Sequence, residues 1–115
     1  MEWTAAVIAV RAPDGRVLAL KDGRGLNFPG GNREPEDRSP AETAARELFE
    51  ETGVKVKGLR LLGAWDGVVA FQGFGPKGKL RRSREGAPYW VKPYRVTKKD
   101  NTFWKQNRVI LEKMS

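Results

Sequence analysis

Arg46-Glu47-Leu48-Phe49-Glu50-Glu51-Thr52-Gly53-Val54 is the stretch on which the reading of this chain turns. Ser39, Pro40 and Glu42 stand upstream of it. They supply a hydroxyl that can cap free N–H groups, a ring whose fixed φ suits the first helical position, and the Glu of a Ser-x-x-Glu capping box. Gly53 follows as a residue able to take positive φ just past the last turn. The spacing predicts a helix over 40–51. At about 100° per residue, Ala41, Ala44, Ala45, Leu48 and Phe49 share an apolar stripe, with Glu47, Glu50 and Glu51 on roughly the opposite side. Those three carboxylates are related as i, i+3 and i+4, so they crowd within one turn and repel, at the end where the helix dipole disfavours negative charge. A divalent cation would relieve the repulsion, because a hard ion takes several oxygen ligands and reverses the local electrostatics. From the residues alone, a solvated acidic helix end partly neutralised by Arg46 stays open beside that reading.

Working outward, Trp3 to Arg11 is apolar and β-branched enough for a strand, Ala12 to Arg16 is turn chemistry, and Val17 to Leu20 is a second strand. Together they predict a hairpin. Leu26-Asn27-Phe28 reads as a short strand, and Pro29-Gly30-Gly31 as a break where backbone can approach a ligand closely. Val54 opens an extended run through Trp65, Gly67 to Phe74 and Tyr89 to Val91 are further strands, and a short helix closes the chain. In that helix Phe103, Trp104, Val109, Ile110 and Leu111 are placed to cover a sheet face. A mixed sheet with one long and one short helix predicts a single α+β domain over 1–115, layered as an α/β/α sandwich.

Composition narrows the chemistry. The 115 residues include no Cys and no His, which excludes zinc fingers, cysteine nucleophiles, Ser-His-Asp triads and imidazole acid–base catalysis. Any metal must sit on oxygen, which favours Mg²⁺, with Mn²⁺ as the substitute. The net charge of +8 is unevenly spread: seven of the fourteen carboxylates fall between Glu34 and Glu51, whereas residues 77–115 carry twelve basic and three acidic side chains. One half could hold cations while the other faces polyanions. Gly73 to Lys79 scans like a phosphate-binding loop, but Leu80 stands where Ser or Thr should hold a metal, so the segment reads as a turn whose lysines steer polyphosphate. Met1-Glu2-Trp3 lacks the basic and apolar regions of a leader, and no apolar run approaches the ~18 residues of a membrane span. The expectation is a soluble, cytoplasmic protein with no membrane partner.

The string from Gly30 to Val54 resembles the Nudix box, whose pattern is Gly, five residues, Glu, seven residues, then Arg-Glu-U-x-Glu-Glu-x-Gly-U with U a bulky aliphatic. Arg46 to Val54 match every specified position of the second half. The first half departs: five residues after Gly31 comes Asp37 in place of Glu, and eight residues separate it from Arg46, as though Arg38 were inserted. The resemblance covers most of the chain and is strongest to the small MutT-type nucleoside triphosphate pyrophosphohydrolases.

That resemblance implies Mg²⁺-dependent hydrolysis of a nucleoside diphosphate linked to another group, by in-line attack of water on phosphorus. Glu47, Glu50 and Glu51 would hold one to three ions, with Glu85 in the later loop as a fourth acid and Gly31 beside the metal. Glu50 or Glu51 would take the proton of the attacking water, with Glu85 as the other candidate, and Arg46 would orient the carboxylates. Phe28 and Asn107 look like the residues that contact the purine, an Asn amide offering one donor and one acceptor face. Gly30 would let backbone approach the phosphates, and Lys79 and Arg82 would offset their charge. The substrate implied first is a nucleoside triphosphate, with 8-oxo-dGTP the sharper expectation, cleaved to monophosphate and pyrophosphate. RNA 5′ ends or a dinucleoside polyphosphate are the enzymatic alternatives, with RNA following the basic residues 77–99. A non-catalytic RNA-binding or nucleotide-binding Nudix module is the alternative of another class. Either a monomer or a homodimer is compatible with the sequence.

Overall fold

The computed structural model describes residues 2–115. Helix α1 spans Pro40–Thr52, as its caps demand: Ser39 Oγ accepts the N–H of Glu42 at 3.2 Å, and Gly53, at φ 82°, donates its N–H to Phe49 O at 2.9 Å. The return arm of the capping box reaches one residue further back, with Glu42 Oε1 accepting the N–H of Arg38 at 3.0 Å. The strands are β1 (Ala5–Val10), β2 (Val17–Asp22), β3 (Gly25–Asn27), β4 (Gly30–Asn32), β5 (Gly58–Trp65), β6 (Val68–Phe74) and β7 (Ala87–Val91). A 3-10 helix at Pro93–Thr97 leads to α2, Trp104–Lys113.

These strands form two sheets, one ordered β4-β1-β6-β5 and the other β3-β2-β7. β1 runs parallel to β6, with Ala5 opposite Val68 and Val10 opposite Gly73; every other pairing is antiparallel. The predicted β1–β2 hairpin is therefore corrected. Its turn exists, closed by Ala12 N–H on Arg16 O at 2.7 Å, but only the Arg11–Val17 bridge joins the two strands before they enter different sheets.

Alternation along β1 divides the core in two. Ala6, Ile8 and Val10 pack with Leu18, Leu48, Val54, Val69 and Phe71 under α1, while Ala9 packs with Val17, Phe28, Leu62, Val91, Val96 and Ile110 on the α2 side. The sheets thus lie between the helices, as expected for an α+β sandwich. Leu48 is fully buried, and removing such a side chain from water stabilises the fold by about 1.5–3 kcal/mol.

The face of α1 that is buried differs from the predicted stripe. Thr43, Ala44, Glu47, Leu48, Glu51 and Thr52 are buried, whereas Ala45 and Phe49 are exposed. Phe49 instead lies between two cations, with Lys55 Nζ 4.9 Å and Arg81 Cζ 4.8 Å from its ring centre. The buried face is rotated so that two carboxylates enter the interior. Among the described residues no helix is long and apolar enough to cross a membrane.

Candidate active site

Glycines bring β4 against α1. A Cβ on Gly31 would fall on the Glu47 carboxylate, inside any permitted contact, so only glycine leaves Glu47 its place. The N–H of Gly30 donates to Glu51 Oε1 at 2.9 Å. Glu85, in the loop before β7, completes the group: Glu47, Glu51 and Glu85 each offer an oxygen within 4.8 Å of the others. Glu85 itself is exposed, and its N–H is held by Ser83 Oγ at 3.1 Å. Glu50 lies outside this three-carboxylate group. Its side chain is half exposed and turned to Arg46, with Nη1 to Oε1 at 3.0 Å.

Arg46 organises the acids on either side of it. Its Nη1 also donates to Glu47 Oε1 at 2.7 Å and lies 3.4 Å from Glu34 Oε1. On the far edge it forms a fork with Asp37, Nε to Oδ1 at 3.1 Å and Nη2 to Oδ2 at 2.8 Å, and Nη2 donates to Asn32 O at 3.0 Å. Asp37 is buried and takes two further donors, the Glu34 N–H and the Thr43 hydroxyl, both at 2.9 Å. Trp3 Nε1 donates in turn to Thr43 Oγ1 at 3.1 Å. The helix carboxylates are thus not wholly unrelieved: Arg46 serves Glu47 and Glu50, and a backbone N–H serves Glu51.

Relief is incomplete. Burial, followed by the nearness of Glu85 and Glu47, pushes the Glu51 carboxyl up to about 9, and the Gly30 N–H only partly opposes this. Burial likewise raises Glu47, against the hydrogen bond from Arg46 and with Glu85 and Glu50 adding to the rise. The Arg46 fork holds the Asp37 carboxyl well below the usual range, with the Glu34 and Thr43 donors assisting and burial opposing, and Asp37 in turn raises Arg46. Buried carboxylates that resist ionising alone, made wholly of hard oxygen donors, suit a hard divalent cation.

A cleft of about 310 Å³ opens beside Glu51 and Gly30 and runs between the two sheets to α2. Phe28 and Asn107 line it, and so do Arg24, Asn27 and Gln106, to which no sequence pattern pointed, and Phe103, which was expected to cover a sheet face. Asn107 is buried, and its Nδ2 is engaged by Asn27 Oδ1 and Val96 O, both at 2.9 Å. Lys79 and Arg82 are not among the residues that line this cleft. Their segment packs against the end of α1, where Arg81 donates its N–H to Thr52 O at 3.0 Å and Nη2 to Phe49 O at 3.2 Å. The carbonyls at a helix C-terminus lack internal donors and carry partial negative charge, so a basic loop is drawn there.

Residues 1–109 match the family described as the NUDIX domain. Over 49 residues the chain is 45% identical to the Bacillus subtilis protein described as "Putative 8-oxo-dGTP diphosphatase YtkD", a match covering 43% of this chain and 30% of that one. The match thus spans less than a third of that relative's length. The crystal structure of a MutT protein from Bacillus halodurans superposes with a TM-score of 0.75 at 25% identity, covering 96% of this chain and 82% of that one. A MutT NUDIX hydrolase from Burkholderia pseudomallei superposes at 0.75 with 20% identity, covering 100% and 99% of the two chains.

Proposed function

Because the chain belongs to the NUDIX domain family, a family of phosphoanhydride hydrolases, we propose that it is a divalent-metal-dependent nucleotide pyrophosphohydrolase. We assign it a nucleoside triphosphate substrate, cleaved to monophosphate and pyrophosphate, with Mg²⁺ as the natural ion. One observation carries the reading: three carboxylates converge within 4.8 Å, and one of them, Glu51, lines a cleft that also presents the Phe28 ring and the Asn107 amide.

Glu47, Glu51 and Glu85 are the residues that would hold the ion. When bound, it would neutralise the polyphosphate and lower the pKa of a coordinated water. Gly30 and Gly31 let the backbone at β4 lie close to the phosphates, and Phe28 and Asn107 receive the base. Glu50, outside the three-carboxylate group yet tied to the same guanidinium, is the carboxylate left to take the proton of the attacking water. Arg46 donates to both Glu47 and Glu50, so its role is to fix them relative to each other through charge-assisted hydrogen bonds. The partial likeness to a relative described as acting on 8-oxo-dGTP makes that nucleotide the first substrate to try.

The test is product analysis after incubating a panel of nucleoside triphosphates, 8-oxo-dGTP included, with the protein and Mg²⁺. Monophosphate and pyrophosphate in equal amounts are expected, with turnover reduced at least about 100-fold in Glu50→Gln. No cleavage of any member, or cleavage to diphosphate and phosphate, would contradict the assignment.

A further inference from the structure

Thr43 and Thr52 are both fully buried on α1, and they spend their hydroxyl hydrogens differently. Thr52 Oγ1 donates to Leu48 O, four residues back, at 2.7 Å, a common outlet for a threonine inside a helix. Thr43 gives its hydrogen instead to the loop before the helix, at Asp37 Oδ2, 2.9 Å away. Trp3 meets the same threonine oxygen, its indole Nε1 donating to Thr43 Oγ1 at 3.1 Å across 40 positions of sequence.

Each group in this line acts in one sense. An indole N–H only donates, an ionised carboxylate only accepts, and a guanidinium only donates. The hydroxyl has a single hydrogen, and with the indole on its oxygen that hydrogen is left for Asp37. Asp37 also takes the Glu34 N–H and both arms of the Arg46 fork, so four donors fill its two oxygens and hold the carboxylate in one orientation. Arg46 carries that orientation on to Glu47 and Glu50. Trp3 reaches the guanidinium from a second flank as well. Arg33 Cζ lies 3.8 Å from the centre of the Trp3 ring, and Arg33 follows Asn32, whose carbonyl accepts from Arg46 Nη2. One buried indole just ahead of β1 thus secures both segments that hold Arg46: α1 by its N–H, the end of β4 by its face.

Resting on the metal reading of the converging carboxylates, we infer that Trp3 and Thr43 are positioning residues for the ion, the indole N–H acting through the Thr43 hydroxyl, Asp37 and Arg46 to fix where Glu47 stands. Neither is one of the three carboxylates, and neither touches the ion or the nucleotide in this account. The hydrogen bonds form a single line, so the hydroxyl is indispensable and the indole N–H works only by way of it.

Calorimetric titration of the whole chain with Mn²⁺ alone tests this without any turnover. Thr43→Val keeps the shape and loses the hydroxyl, and should weaken binding about ten-fold, whereas Thr43→Ser keeps the hydroxyl and should stay within about two-fold of wild type. Trp3→Phe keeps a ring for Arg33 and loses the N–H, and should weaken binding about three-fold. The double variant should bind no worse than Thr43→Val alone, because two cuts in one line do not add. Val54→Ala is the control for lost stability: its side chain is buried in the same core cluster and takes part in none of these hydrogen bonds. It should leave the affinity within about two-fold. Should Trp3→Phe fold poorly, Thr43→Val against Thr43→Ser still decides. Wild-type affinity in Thr43→Val, equal weakening in Thr43→Ser or Val54→Ala, additive losses in the double variant, or no binding by the wild type overturns the inference. The expected pattern in a protein that never cleaves a triphosphate would sink the hydrolase assignment and leave this one standing.

Discussion

Arg46 and Asp37 face each other as a fork, with Nη2 to Oδ2 at 2.8 Å and Nε to Oδ1 at 3.1 Å. The pair joins the loop before α1 to the turn of the helix that carries Glu47 and Glu50, so it sets where those carboxylates stand. Removing Asp37 leaves Arg46 with less countercharge and strands the Thr43 hydroxyl and the Glu34 N–H. Asp37→Ala should cost about 2–3 kcal/mol in urea melts.

The same pair sets an acid limb to stability. The folded-state carboxyl of Asp37 titrates below its unfolded value. Its contribution is therefore fully present above the usual carboxylate range, near pH 4, and is lost as pH falls through the folded value. Stability measured from pH 5 down to pH 2 should decline in the wild type, and the decline should be shallower in Asp37→Asn. Identical acid limbs would refute the assignment.

Glu51 acts with the opposite sign. Its carboxyl is pushed up to about 9 in the fold, against the ordinary 4.5. In chelator the folded state therefore holds a proton that the unfolded chain has released, and stability falls as pH rises between those two values. Glu51→Gln removes the ionisation. At pH 8 without divalent ions the variant should be more stable than wild type by at least about 1 kcal/mol, while losing turnover. Equal stability at pH 8 would show that burial does not strain this carboxylate.

Gly31 allows a separation of activity from folding. A Cβ there collides with the Glu47 carboxylate, the end of a flexible side chain, and the backbone needs no positive φ at this position. Gly31→Ala should lower turnover about ten-fold or more by displacing Glu47, with a stability change within about 1 kcal/mol. Turnover at the wild-type level would mean that the position of Glu47 is not critical.

The sequence made α1 legible because its signals are local: Ser39, Pro40 and Gly53 act within four residues of the groups they cap. The hairpin failed for the converse reason. Ala12 to Arg16 do turn the chain, but β1 finds its main partner in β6, about sixty residues away, and no local pattern encodes that pairing. The burial of α1 was misread because Glu47 and Glu51 look solvated by type, and their partners, Arg46, the Gly30 N–H and Glu85, come largely from elsewhere in the chain. The contact of the basic loop with α1 was not legible either, because Arg81 meets Phe49 O only once residues 32 apart in sequence are brought together. Asn27 carried no signal at all, since its role exists only once Asn107 and Phe103 are beside it.

A Mn²⁺ titration followed by electron paramagnetic resonance, on wild type and on Glu51→Gln, tests the central claim most directly. Saturable binding at a protein site is expected in the wild type, weakened about ten-fold or more in the variant. Absent binding, or binding that Glu51→Gln leaves untouched, would contradict the claim that the converging carboxylates hold the ion.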